Sequence, residues 1–296
     1  MSGLTEIQII QGQLLRYMPL TTIVIGTIGN ILNCLIFTRR KLSRNSCSIY
    51  FLSSSVANFF AIYFGCLPRL LDTFNIQPPA SQLDLYCKIK TFLTYIGLAS
   101  SAWFIVGACA DRYASSAATV LLVFLDYFQM NFCFYGAIQA ANCSTVSRFC
   151  GVWNDYNLLI TFSLLPPALM FIFGWLTIRN VRTTGHLRRE TNVKDRQLTT
   201  MLLIQVISTA ILTLPISIQK LYSEITLNQT KSQESKLIEN FFATYVVLLA
   251  LMNTSTSFYL FTLTGKIFRK ELKDLICSRQ RHATIEPTIA TTNAKK

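Results

Sequence analysis

Long apolar runs, separated by short blocks of arginine and lysine, constrain this sequence more than any other feature. Residues 14–38, 48–71, 89–110, 156–178, 198–221 and 237–263 are mostly apolar. Each has roughly the 20 residues that a helix needs to cross the hydrocarbon core of a bilayer. Only 14% of the 296 residues are charged, where soluble domains carry about a quarter. Mean hydropathy is +0.40. The first run is too long for a signal peptide and has no basic stretch before it, so it is expected to be a true span. The expectation is an all-α membrane protein.

The basic residues set the topology. Arg39, Arg40, Lys41 and Arg44 follow the first run. Arg179, Arg182, Arg188, Arg189, Lys194 and Arg196 follow the run at 156–178, and Lys266, Arg269, Lys270 and Lys273 follow the last. A net charge of +13 split among separate short blocks does not form the single basic face that nucleic acid requires. It fits loops held on the cytoplasmic side of a membrane. Six spans alone place the first and second blocks on opposite sides. A further crossing at residues 117–138 brings all three together, although Asp126, Gln129 and Asn131 interrupt that stretch. An acid at mid-bilayer costs about 2.5–3.5 kcal/mol on insertion scales. Seven spans with the amino terminus outside is the consistent solution. It places the glycosylation tripeptides at Asn142 and Asn228 on outer loops.

The sequence offers little for catalysis or metal binding. Cys34, Cys66 and Cys109 lie inside apolar runs, no C-x-x-C pair occurs, and the two histidines, His186 and His282, sit in basic segments without a nucleophile partner. No enzymatic activity and no cofactor are expected. Internal half-repeats of the transporter kind are not visible either.

Asp111-Arg112-Tyr113 closes the third run. A lone arginine there would be an ordinary interfacial anchor, which leaves Asp111 and Tyr113 unexplained. The triplet resembles the Asp-Arg-Tyr motif that ends the third helix of rhodopsin-like G-protein-coupled receptors. Cys87, 25 residues before Arg112, stands at that family's third-helix disulfide position, and Gly29-Asn30 matches its first-helix pair. The resemblance implies a seven-transmembrane helix bundle with a short amphipathic eighth helix. It implies coupling to a heterotrimeric G protein through Arg112, with Asp195 as the acidic partner of that arginine in the resting state. Asp195 could equally balance its neighbours Lys194 and Arg196. For the disulfide, the resemblance makes Cys143 the partner of Cys87, with Cys133 and Cys150 as alternatives.

Other landmarks match unevenly. Pro167 and Pro215 fit the fifth- and sixth-helix prolines, but Thr213 replaces the usual tryptophan near the latter. Ser257, Phe258 and Phe261 stand where the family has Asn, Pro and Tyr in its seventh helix, a variation shared with invertebrate FMRFamide-type receptors. Asn30, Asn58, Ser101 and Asn253 occupy positions that surround a sodium ion in many members. Asn58 replaces the acidic ligand, so a neutral helix-packing network is expected instead of a cation site. Only residues 114–116 separate the Asp-Arg-Tyr motif from the weak stretch at 117–138, and no tryptophan occurs between Trp103 and Trp153. The fourth span is expected to be shortened.

Thr94 stands where amine receptors carry an aspartate, and Leu251 where opsins carry the retinal lysine. An extracellular peptide is the expected ligand, with Thr94, Tyr95, Gln219 and Lys220 as pocket candidates and Asp72, Asp84 and Asp155 available to a basic peptide. The expected organisation is an extracellular amino terminus at 1–13, a receptor domain at 14–265, an amphipathic helix at 266–277 with Cys277 as a palmitoylation candidate, and a disordered cytoplasmic tail at 278–296. The expected setting is the plasma membrane, with the lipid bilayer and a G protein as partners and no nucleic acid. The competing expectation is a non-signalling receptor remnant without a complete fourth helix.

Overall fold

Backbone groups find no water to bond in lipid, so apolar runs of this length satisfy themselves as uninterrupted helices. The computed structural model describes residues 2–43, 46–76, 83–111, 138–139, 144–145, 152, 156, 159–160, 164–183, 189–226, 229–266, 268–275 and 277. They form an all-α membrane bundle with one small hairpin. The elements are α1 (Ser2–Phe37), α2 (Arg40–Ser43), α3 (Ser46–Asp72), α4 (Leu83–Asp111), β1 (Ile138–Gln139), β2 (Ser144–Thr145), α5 (Leu165–Thr183), α6 (Arg189–Ile225) and α7 (Gln233–Thr264). Residues 268–275 form a further helix, α8. Among the described residues, five helices, α1, α3, α4, α6 and α7, are long and apolar enough to cross a membrane.

Contacts fix the direction of each helix. Phe37 on α1 stacks against Phe51 on α3 at 5.3 Å, while Arg16 lies over the ring of Phe74 at 4.8 Å, so these helices are antiparallel. Cys47 Sγ donates to the Ala108 carbonyl at 3.4 Å and the Ser54 and Ser101 hydroxyls are 2.9 Å apart, so α4 returns along α3. Gln11 donates to Thr244 at 3.0 Å and Asn33 to Ser257 at 3.1 Å, which makes α7 parallel to α1. Bonds from Thr209 to Asn253 and from Tyr222 to Glu239 make α6 antiparallel to α7. One end of the bundle, the amino-terminal end, therefore gathers the starts of α1, α4 and α7 and the ends of α3 and α6. The opposite, basic end gathers Phe37, α2, the end of α4, the start of α6 and α8.

This geometry bears on the fourth span. Asp111 ends α4 at the basic end. Tyr156 and Leu159 border a small cavity with Leu221 and Glu224 near the close of α6, at the amino-terminal end. Between Asp111 and Tyr156 the chain has passed from one end of the bundle to the other. Of residues 117–138, only Ile138 lies within the described residues. It pairs with Thr145 in an antiparallel hairpin, so any helix there stops before it.

Two boundaries differ from the sequence expectation. Helix α1 begins at Ser2, well before the apolar run, and Gln11 in this extension bonds to α7. Helix α5 begins at Leu165 with Pro166 and Pro167 in its first turn, where a missing N–H costs no helical hydrogen bond. Residues 159–160 and 164 lie in wider, π-type turns before it.

Local chemistry ends the helices where the bundle needs them to end. Asn75 takes a left-handed backbone, φ 55°, and the Ile76 and Asn75 amides bond to the Leu71 and Asp72 carbonyls, a Schellman closure of α3. Ser232 caps α7 by accepting from the Ser235 amide at 3.2 Å. At its other end Arg269 donates to the Thr262 and Leu263 carbonyls, meeting groups that no helical amide can reach.

The main apolar cluster sits toward the basic end and contains Phe37, Phe51, Trp103, Met170, Met201, Phe261 and Phe268. A second cluster nearer the amino-terminal end joins Ala61, Leu98, Ile216, Val246 and Leu251. Ile207, Ile211, Leu214 and Ile218 are exposed along α6 at helical spacing, as a lipid-facing surface requires.

Candidate functional site

A polar seam runs through the bundle between the two apolar clusters. Asn30 donates to the carbonyls of Gly26 at 2.8 Å and Thr254 at 3.1 Å, and its own oxygen accepts from Asn58 Nδ2 at 3.1 Å. Three helices, α1, α3 and α7, are thus tied by one amide. Ser101 bonds to Ser54. Asn253 accepts from Thr209 at 3.3 Å, and Thr209 in turn accepts from Gln205 at 3.5 Å. The four positions singled out in the sequence therefore divide into an Asn30–Asn58 pair and two separate links. Asn33, Ser54, Gln205 and Thr209 are further members that the sequence reasoning missed. Among the described residues, the buried acceptors Asn58 Oδ1, Asn33 Oδ1 and Gln205 Oε1 meet no donor.

At the basic end, Asp111 is the last residue of α4 and Asp195 lies on α6. Arg112 and Tyr113 lie outside the described residues. Ser257 accepts a hydrogen bond from Asn33. Phe258 and Phe261 pack with Phe268 at ring-centroid distances of 5.8 and 6.0 Å. With no proline in this stretch, α7 runs unbroken to Thr264. Arg39 and the buried Glu271 pair at 3.7 Å, joining the end of α1 to α8. Cys277 is an exposed free thiol. Thr213 is fully buried and donates to the Thr209 carbonyl at 2.8 Å, its hydroxyl satisfied within α6.

At the amino-terminal end, Thr94 Oγ1 donates to the Lys90 carbonyl at 2.7 Å. Tyr95 packs against the second apolar cluster. Gln219 donates to Ser223 at 3.0 Å along α6, with Lys220 beside it. Cys87 is buried and disulfide-bonded. Cys34, Cys47, Cys66, Cys109 and Cys277 are free thiols, so its partner is among Cys133, Cys143 and Cys150, all outside the described residues. The connection between β1 and β2 carries Asn142 and Cys143, also outside them, as is Asn228.

Two cations near these candidates were not apparent from the sequence reasoning. Arg69, near the end of α3, is partly buried, and its guanidinium donates to the Gly65 carbonyl. Lys90 on α4 lies 5.6 Å from the centre of the Tyr86 ring. Asp72 is within electrostatic reach of both. Among the described residues, however, no carboxylate comes within 4 Å of either cation. An arginine inside an apolar run was the available signal, because charges in spans are costly and usually serve a site.

Comparison with known proteins adds two local similarities. The chain is 33% identical over 101 residues to the human C-C chemokine receptor type 1, covering 34% of this chain and 28% of that receptor. It is 31% identical over 93 residues to cephalotocin receptor 1 of Octopus vulgaris, covering 31% of this chain and 22% of that protein. The matched stretches thus span under a third of each relative. No protein-family model matches the chain. Both relatives are receptors rather than enzymes, and the similarities support the resemblance to rhodopsin-like receptors in a multi-pass membrane bundle.

Proposed function

We propose that this chain is a rhodopsin-like receptor for a peptide, acting through a heterotrimeric G protein. The observation that carries the reading is the placement of Asp111 and Tyr156 at opposite ends of the bundle. With α5 as the sixth span, a crossing between them, assigned to residues 117–137, brings the count to seven. It also puts every basic block at one end, which the positive-inside rule makes cytoplasmic. The amino terminus is then extracellular and the protein resides in the plasma membrane. The two relatives, named for a chemokine and for cephalotocin, favour a peptide over an amine.

In this reading ligand binding at the amino-terminal end separates α4 from α6 at the basic end. An Arg112–Asp195 ion pair closes the resting state, and its opening frees Arg112 for the G protein. Cys143 pairs with Cys87, Asn142 and Asn228 accept glycans, and Cys277 accepts a palmitoyl chain that anchors α8. Thr94, Tyr95, Gln219 and Lys220 line the ligand pocket. The Asn30–Asn58 bond packs helices and holds no cation. The second reading, a non-signalling remnant, is favoured by one observation, the short link at residues 114–116.

Epitopes at each terminus of intact cells separate the two. A receptor shows the amino terminus outside, the carboxyl terminus inside and transport to the cell surface. In cells responding to a peptide library, Arg112→Ala is expected to abolish nucleotide exchange while sparing peptide binding. Both termini on one face, or exchange undiminished by Arg112→Ala, would overturn the proposal.

A further inference from the structure

We infer that Arg69 and Lys90 form a carboxylate-binding subsite at the amino-terminal end of the bundle, a conclusion that rests on the peptide-receptor reading. Both cations belong to helical stretches apolar enough to cross a membrane. Placing a cation in such a segment is costly unless it meets an opposite charge or water. Elsewhere the chain supplies that charge: Arg39 pairs with Glu271, and Lys231 pairs with Glu239 at 2.6 Å. Arg69 and Lys90 instead stand one turn beyond a tight contact between α3 and α4: a β-carbon at Gly65, whose carbonyl holds Arg69, would lie 3.1 Å from Thr94 Cγ2, and the Thr94 hydroxyl is bonded to the Lys90 carbonyl.

The described neighbours do not remove the imbalance. Asp72 is exposed and more than 4 Å from either head group. Thr94, one turn beyond Lys90, carries no charge and spends its hydroxyl on the Lys90 carbonyl. Among the described residues, the five N–H donors of the Arg69 guanidinium make one hydrogen bond, to the Gly65 carbonyl. Lys90 meets the face of Tyr86 and, among the described residues, makes no hydrogen bond through its ammonium. A planar carboxylate accepts two parallel bonds from a guanidinium and leaves lone pairs for an ammonium. One such group would offset both charges and use the remaining donors together. The carboxylate can belong to a peptide's carboxyl terminus or to an Asp or Glu side chain.

The test uses the full chain in nanodiscs and four pentapeptide pools of matched apolar content. One has a central Glu and an amidated terminus, one a central Gln and a free carboxyl terminus, one a central Gln and an amide, and one a central Lys and an amide. Retention is measured by mass spectrometry. At least one acidic pool should be retained about tenfold over the neutral pool, as a charge-assisted pair allows, and which one identifies the source of the carboxylate. Lys90→Gln should reduce that preference and Arg69→Gln should abolish it, with Arg69→Lys restoring part of it. Because Arg69→Gln could disturb folding, Lys90→Gln, at a partly exposed position, decides the matter alone. Neutral peptides retained as well as acidic ones, or a preference unchanged in Lys90→Gln, would overturn the subsite. Retention of no pool at all would overturn the peptide reading and the subsite with it.

Discussion

Gly97→Ala tests the close approach of α3 and α4 that holds Ser101, Thr94 and Arg69 in register. A methyl group at Gly97 would stand 2.6 Å from the Ala61 nitrogen and 2.9 Å from the Ala57 carbonyl oxygen. Both are backbone atoms, so no side-chain rotation can relieve the clash, and the helices must separate by several tenths of an ångström. Overpacking against backbone, which cannot rotate away, lies in the upper part of the usual range, about 2–3 kcal/mol. Alanine recovers up to about 1 kcal/mol through helix propensity. The expected net loss, about 1–2 kcal/mol, corresponds to a Tm lower by roughly 2–8 °C. Cys47, Cys66 and Cys109 are buried free thiols, so thiol-reactive fluorescence on heating the purified protein reports the transition directly. Gly12→Ala is the control, because nothing lies within 4 Å of the added methyl. A Gly97→Ala midpoint equal to or above that of the unaltered chain would refute the contact between these two backbones.

Asn30→Leu should destabilise the chain by about 1–3 kcal/mol, because it strands the Asn58 amide in a buried site. Asn30→Leu combined with Asn58→Leu should cost less than the sum of the two single changes. Strict additivity in a thermal double-mutant cycle would show that the pair is not coupled. Phe268→Ala should loosen α8, since this buried ring contacts Phe37, Phe258 and Phe261 at 5.6–6.0 Å. Removing a buried phenyl group costs on the order of 3–5 kcal/mol. A spin label on the exposed Cys277 should gain mobility in this variant, and an unchanged spectrum would remove Phe268 as the anchor.

Where the sequence carried periodic physical constraints, the fold was legible in it. Leu237–Leu263 must be helical in lipid, and α7 contains all of it. Boundaries set by tertiary contact were less visible. Residues 2–13 are too polar to suggest a span, yet α1 includes them, and Gln11 meets Thr244, far away in sequence. The site divides in the same way. Asn30 and Asn58 could be paired by analogy because each occupies a position where the family keeps a polar group. The links from Ser101 to Ser54 and from Asn253 to Thr209 could not, because they depend on the rotation of each helix about its axis. Arg69 was overlooked for another reason. A single arginine after Pro68 near the end of an apolar run looks like an interfacial anchor until no described carboxylate is found within 4 Å of it.

Depth in the membrane gives these differences a common cause. At the centre of the bundle, where an ion is most costly, the chain places amides and hydroxyls that can be satisfied by helix carbonyls, as Asn30 is by Gly26 and Thr254. Such groups bind helices to one another and exert little pull on a charged ligand. Toward the amino-terminal end, where the second apolar cluster gives way to Tyr86 and Asp72, two cations stand with most of their donors unused among the described residues. Moving Asp72 one turn deeper, by an Arg69→Asp and Asp72→Arg exchange, would place a carboxylate beside Lys90. That arrangement supplies an internal counterion and should erase any preference for acidic peptides without altering net charge. The position of the charge, not its total, is then what selects the ligand.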